Sequence, residues 1–184
     1  MQKLVNLKEL IPDILFDIKY ASSENFTGKV LYSEPLAYLI KDAADDLKKV
    51  QSELKQRGYR LIIWDAYRPL AVTKIMWSLS KNKDSKFIAD PAIGSIHNRG
   101  CAVDVTLQNI STGLELDMPT EFDNFTYMAY PDSTKCSSIQ QQNRYILINT
   151  MQKYNFLVDD FEWWHFNWYK WLDHPVLDME FKLL

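Results

Sequence analysis

The chain has 184 residues, 47% of them apolar and 14% aromatic, and a formal charge of −3. Such a length and composition fit one folded domain with a substantial core and exclude a disordered chain. The charge leaves no electrostatic footprint for nucleic acid. No Lys/Arg-rich run marks a membrane surface, and no apolar stretch approaches the ~20 residues needed to cross a bilayer.

Residues 1–9 are interrupted by charge too often to form a signal peptide, so a cytoplasmic location is expected. Cys101 and Cys136 lack Cys-x-x-Cys spacing and give neither a disulfide framework nor a Cys-rich zinc site. No repeat or linker divides the sequence. The spacing of Leu36, Leu39, Ile40, Ala43, Ala44, Leu47, Val50 and Leu54 predicts a helix from about Pro35 to Arg57, with Gly58 where a left-handed cap would sit. Tyr59 to Asp65 reads as a buried strand, and Pro69 introduces a helix over Leu70 to Ser80.

From Cys101 to Leu107 the pattern alternates. Cys101, Val103, Val105 and Leu107 share one face, while Ala102, Asp104 and Thr106 share the other. Asp104 then projects toward a site, with Gly94 to Gly100 as the loop that presents His97. A helix is expected from Ser138 to Tyr154, with Ile139, Tyr145, Ile146, Leu147, Ile148 and Met151 on its apolar side. Phe161 to Tyr169 reads as a final aromatic strand. Helices and strands do not alternate regularly. The expectation is a single α+β domain over residues 1–184, a small antiparallel sheet with flanking helices.

Chemistry concentrates around two histidines. His97 precedes Asp104 by seven residues, and His165 closes Glu162-Trp163-Trp164-His165. Two imidazoles and a carboxylate form a three-ligand zinc site with a fourth position open for water. A His-x6-Asp pair alone is weak, but the small Gly100 and Ala102 around it allow close approach to a metal. Glu162 is the spare carboxylate, either a strand-end acid or a general base. On a regular strand it and His165 point to opposite faces, and they converge only through a bulge or a strand-entry turn. Arg68, between a buried strand and a helix, either stabilises an oxyanion or pairs with Asp65. His174 reads as a surface turn residue, Trp163, Trp164, Trp168 and Trp171 mostly as core, and Cys101 as packing.

The phrases Ser-x-His-x-x-Gly-x-Ala-x-Asp from Ser95 to Asp104 and Glu-Trp-Trp-His from Glu162 to His165 resemble those of the zinc D-Ala-D-Ala metallopeptidases. The match is closer to D-alanyl-D-alanine dipeptidases of the vancomycin-resistance type. It extends through Tyr20 to Gly28, Trp64 to Pro69, Glu121 to Asp123 and Gln142 to Arg144, and so covers nearly the whole chain. The resemblance implies a compact α+β fold shared with hedgehog-like domains and one zinc ion on His97, Asp104 and His165. It also implies Glu162 as base and Arg68 as oxyanion stabiliser, with Asp123 beside the substrate's ammonium and Tyr20 and Ser95 in the same pocket. The implied partner is a small dipeptide, not a nucleic acid or membrane; the aromatic-rich surface is compatible with a homo-oligomer without demanding one. The rivals are a carboxypeptidase or endopeptidase on peptidoglycan peptides, and a zinc-binding module without turnover. The sequence departs from the dipeptidases at Ile96, through Asn124 to Ser133, and in a short connection from Asn82 to Ile93.

Overall fold

The structure, a computed structural model, describes residues 3–80 and 87–184. Its centre is strand β5 (Ala102–Asn109), which carries Asp104 and is flanked on both edges. On one side lies β4 (Tyr59–Asp65), antiparallel to it, and on the other β7 (His165–Trp168), also antiparallel. Strand β6 (Phe156–Val158) closes the far edge against β7, and β2 (Leu15–Phe16) adds a short parallel edge to β4. The five-stranded order is therefore β2-β4-β5-β7-β6, antiparallel except at the β2 edge.

Both faces of β5 are buried: Cys101, Val103, Val105 and Leu107 on one side, Ala102, Asp104 and Thr106 on the other. The alternation thus separates an apolar face from one that carries the chemistry, rather than core from solvent. Helix α2 (Lys41–Gln56) packs Ala43, Ala44, Leu47, Val50 and Leu54 with no exposure. Each such leucine contributes about 1.5–3 kcal/mol relative to leaving it in water. The helix ends where Gly58 takes φ +83°, the left-handed conformation that favours glycine.

Three elements differ from the sequence reading. The stretch Tyr38–Ile40 is not helical but forms strand β3, antiparallel to β1 (Leu4–Asn6). Leu39 and Ile40 are buried by that pairing, so tertiary contact overrides a period that continues unbroken into α2. Helix α3 (Leu70–Leu79) starts directly after Pro69, as expected. Helix α4 (Ser138–Lys153) opens on a capping box between Ser137 and Gln140, but Ile139 and Tyr145 face outward. Its buried side is Asn143, Arg144, Leu147, Thr150 and Met151. Asn143 and Arg144 are buried because they donate to the carbonyls of Asp117, Tyr130 and Ser133, pinning the connection before the helix. The short helix α1 (Leu7–Leu10) links β1 to the sheet. Finally, residues 161–164 form a turn, and the aromatic strand begins only at His165. The short connection from Asn82 to Ile93 falls partly outside the described residues. No described helix is long and apolar enough to cross a membrane.

Candidate metal centre and substrate pocket

Sheet register brings the first two ligand candidates together. Asp104 pairs across the sheet with Asp65 of β4 on one side and His165 of β7 on the other. His97 arrives from a 3-10 turn over His97–Arg99 that Gly100 ends at φ +66°. A side chain at Gly100 would meet Leu4 Cδ2 at 2.6 Å and the Ile40 backbone nitrogen at 3.3 Å, so only glycine lets this turn approach the sheet. Asn98 stitches the turn in place, donating to Arg68 O and Thr73 Oγ1 and accepting from Ser95 N.

Nitrogen and oxygen atoms of His97, Asp104 and His165 all lie within 4.8 Å of one another. His97 Nδ1 sits 2.7 Å from Ala66 O, and a carbonyl only accepts, so Nδ1 carries a proton and Nε2 faces the site. His165 Nε2 lies 2.9 Å from Asn167 Oδ1, which turns Nδ1 toward Asp104. His97 Nε2 and His165 Nδ1 are 3.1 Å apart, with Asp104 oxygens 2.9 Å from His165 and 3.3 Å from His97. Lone pairs this close repel one another unless a proton or a metal cation lies between them. Ligands of a tetrahedral zinc at ~2.1 Å stand about 3.4 Å apart, close to these separations. Two imidazoles and one carboxylate also match the donor chemistry of catalytic zinc. The residues fit a divalent cation.

The field points the same way. Burial opposes charge on His165, yet Asp104's hydrogen bond and charge pull its pKa up to about 10. Burial also works to raise Asp104, but the imidazoles of His97 and His165 hold it well below the usual carboxylate range. A site this negative attracts positive charge.

Glu162 belongs to the turn that leads into β7, with His165 N donating to Glu162 O at 3.2 Å and Trp163 N to Ala129 O. This is the strand-entry geometry by which Glu162 and His165 reach one pocket. Burial raises the Glu162 carboxyl well above an ordinary glutamate; His165 pulls it down, while Asp104, Asp159 and Asp123 push it further up. Arg68 pairs with Asp65, through Nε at 3.0 Å and Nη2 at 2.7 Å, and also lines the pocket. Its guanidinium lies 5.2 Å from the Tyr20 ring centroid. Asp65 is fully buried and also accepts from Tyr32 Oη at 2.7 Å and Ala66 N at 2.9 Å.

Asp123 adopts φ +57°, a left-handed conformation uncommon outside glycine and concentrated at functional sites. Its carboxylate accepts from Tyr20 Oη at 3.1 Å and from Phe26 N at 3.1 Å. Burial and the charge of Asp104 push it up to about 7, against those two donors and Arg68. Among the described residues no cation pairs with it. Asn25 presents Phe26 by donating to the carbonyls of Lys19, Ser22 and Lys29. Ser95 lines the pocket too, its hydroxyl accepting from Asn98 N at 3.3 Å.

All eight residues singled out from the sequence therefore line one pocket of about 250 Å³. That is below the roughly 300–1,000 Å³ of drug-sized ligand sites, and suits a small substrate. Phe26, Phe87, Phe125 and Trp171 form much of its wall, with Ile96 beside His97. Of the tryptophans, Trp163, Trp164 and Trp168 are core, and Trp164 and Trp171 line the pocket. Asn167 and Asp65 escaped the sequence reading as site residues, although Asn167 shares His165's strand face at the two-residue period.

The family model described as D-Ala-D-Ala dipeptidase, peptidase M15, matches residues 1–178. A D-alanyl-D-alanine dipeptidase of Escherichia coli K12 is 34% identical over 98% of this chain and 92% of its own length. A D-alanyl-D-alanine dipeptidase of Enterococcus faecalis V583 is 30% identical over 96% and 95%. Among solved structures, the LD-carboxypeptidase LdcB shares the fold at a TM-score of 0.51 and 22% identity, over 90% of this chain and 67% of that one. The chain belongs to the M15 family of D-Ala-D-Ala dipeptidases, and is a peptidase.

Proposed function

We propose that this chain, as one domain over residues 1–184, is a cytoplasmic zinc dipeptidase that hydrolyses free D-Ala-D-Ala to two D-alanines. The observation that carries the metal chemistry is the pair of inward-facing imidazole nitrogens, 3.1 Å apart, beside one carboxylate. His97, His165 and Asp104 would hold the ion. Zinc bound there would supply Lewis acidity, lowering the pKa of a water to about 7 and polarising the scissile carbonyl. Glu162 takes the proton of the attacking water and delivers it to the departing amine. Arg68, fixed by Asp65, steadies the oxyanion. Tyr20 orients Asp123, and Ser95 secures the turn that carries His97.

Substrate choice follows from Asp123. A buried carboxylate with two neutral donors and no cationic partner among the described residues is matched by an ammonium group. An N-acylated peptide would leave it uncompensated, which costs far more than a lost surface contact. Asp123→Ala should therefore raise KM for D-Ala-D-Ala by about 10-fold or more, the worth of a charge-assisted hydrogen bond. Wild-type protein should hydrolyse D-Ala-D-Ala and leave its N-acetyl derivative intact. Equal rates on both would replace the dipeptidase reading with a carboxypeptidase or endopeptidase.

Asn167 fixes which nitrogen of His165 faces the ion. Asn167→Ala should weaken zinc binding about 10–100-fold in chelator competition, as loss of a partner behind a metal-bound histidine does elsewhere. Unchanged affinity would mean that the ring is held by other contacts.

A further inference from the structure

A free dipeptide carries two charges, and the residues considered so far match only one of them. Two arginines line the pocket, Arg68 and Arg99. Arg68 is already neutralised by the buried carboxylate of Asp65, at 2.7 and 3.0 Å. Arg99 is not. It ends the same 3-10 turn that carries His97, and among the described residues no carboxylate pairs with it. Its Nη1 donates to the carbonyl oxygen of His174, and its guanidinium lies 5.5 Å from the Trp171 ring centroid, with Trp171 itself a pocket wall.

Those two contacts hold the side chain still without cancelling its charge. A guanidinium offers five N–H donors, and the His174 carbonyl engages one of the two terminal nitrogens. A stacked, immobilised arginine with donors to spare is suited to a planar carboxylate, which it grips by two parallel hydrogen bonds. The other charges on the wall are acidic: Asp104, Asp123, Asp159 and Glu162. Apart from the metal site at His97, Asp104 and His165, a carboxylate entering the pocket therefore has one arginine without an acidic partner to reach.

Building on the dipeptidase reading, we infer that Arg99 binds the free C-terminal carboxylate of the substrate, so that the pocket reads both ends of a dipeptide. Asp123 takes the ammonium end and Arg99 the carboxylate end. Trp171 keeps the guanidinium aimed inward.

The test compares kcat/KM for D-Ala-D-Ala and for its C-terminal amide, using zinc-loaded wild type, Arg99→Gln and Arg99→Lys. Wild type should prefer the free acid by about 10–100-fold, the worth of a charge-assisted bidentate contact. Arg99→Gln should bring that preference to within about 3-fold, chiefly through KM for the acid, and Arg99→Lys should retain part of it. A wild type that hydrolyses acid and amide equally overturns the inference, whether or not either variant folds. So does an Arg99→Gln protein that keeps the full preference, which would put the carboxylate elsewhere. If wild type leaves the free dipeptide uncleaved while the N-acetyl form is cut, the dipeptidase reading falls and this inference with it.

Discussion

Glu162→Gln should bind zinc one-to-one and lose about 10²–10⁴-fold in kcat, the usual contribution of a positioned general base. The amide keeps the shape of the side chain, so the turn before β7 and the pairing of His165 with Asp104 persist. What disappears is the proton acceptor. Burial and three neighbouring carboxylates hold the Glu162 pKa well above that of an ordinary glutamate, against His165, which makes it a stronger base than an exposed one. Metal analysis with a single-turnover assay separates the outcomes. Near-normal turnover takes Glu162 out of proton transfer, and loss of zinc makes it a ligand instead.

Asp65→Ala should unfold about 3–5 kcal/mol more easily in a denaturant titration, because it strands a largely buried guanidinium. The Arg68 side chain is 11% exposed and the Asp65 side chain is wholly enclosed, so water cannot replace the lost partner. Tyr32 Oη and Ala66 N lose their acceptor in the same substitution. The refolded fraction should also turn over slowly, since Arg68 no longer has a fixed direction. A loss below about 1 kcal/mol with unchanged kcat/KM would show that Arg68 is positioned by its stacking on Tyr20 alone.

Long elements were legible in the sequence because their periods run for several turns or residues: α2, β4, α3, β5 and α4 all fall near the expected positions. Short ones were not. β1, β2, β3 and β6 have two or three residues each, too few for a two-residue period to emerge. Tyr38–Ile40 even continues the helical spacing of α2, and only pairing with Leu4–Asn6 reveals it as a strand. The parallel edge between β2 and β4 depends on the same kind of distant contact.

The site divides in a similar way. His97, Asp104, His165, Glu162 and Arg68 stand in recognisable phrases, so their residue types were readable. Their geometry was not. Whether Glu162 reaches the pocket turns on Trp163 N bonding to Ala129 O, more than thirty residues away. Which imidazole nitrogen faces inward is set by Ala66 O and Asn167, partners that no spacing rule names. Asp123 reaches Tyr20 through a positive φ in a loop without periodicity. The departure at Asn124 to Ser133 is held to α4 through Arg144 and to the turn before β7 through Ala129.

The most direct measurement is anomalous diffraction from crystals grown with zinc. One ion should appear within about 2.0–2.2 Å of His97 Nε2, His165 Nδ1 and an Asp104 oxygen, with one further coordination position open to solvent. An ion bound elsewhere, or through the opposite nitrogen of either ring, would contradict the account.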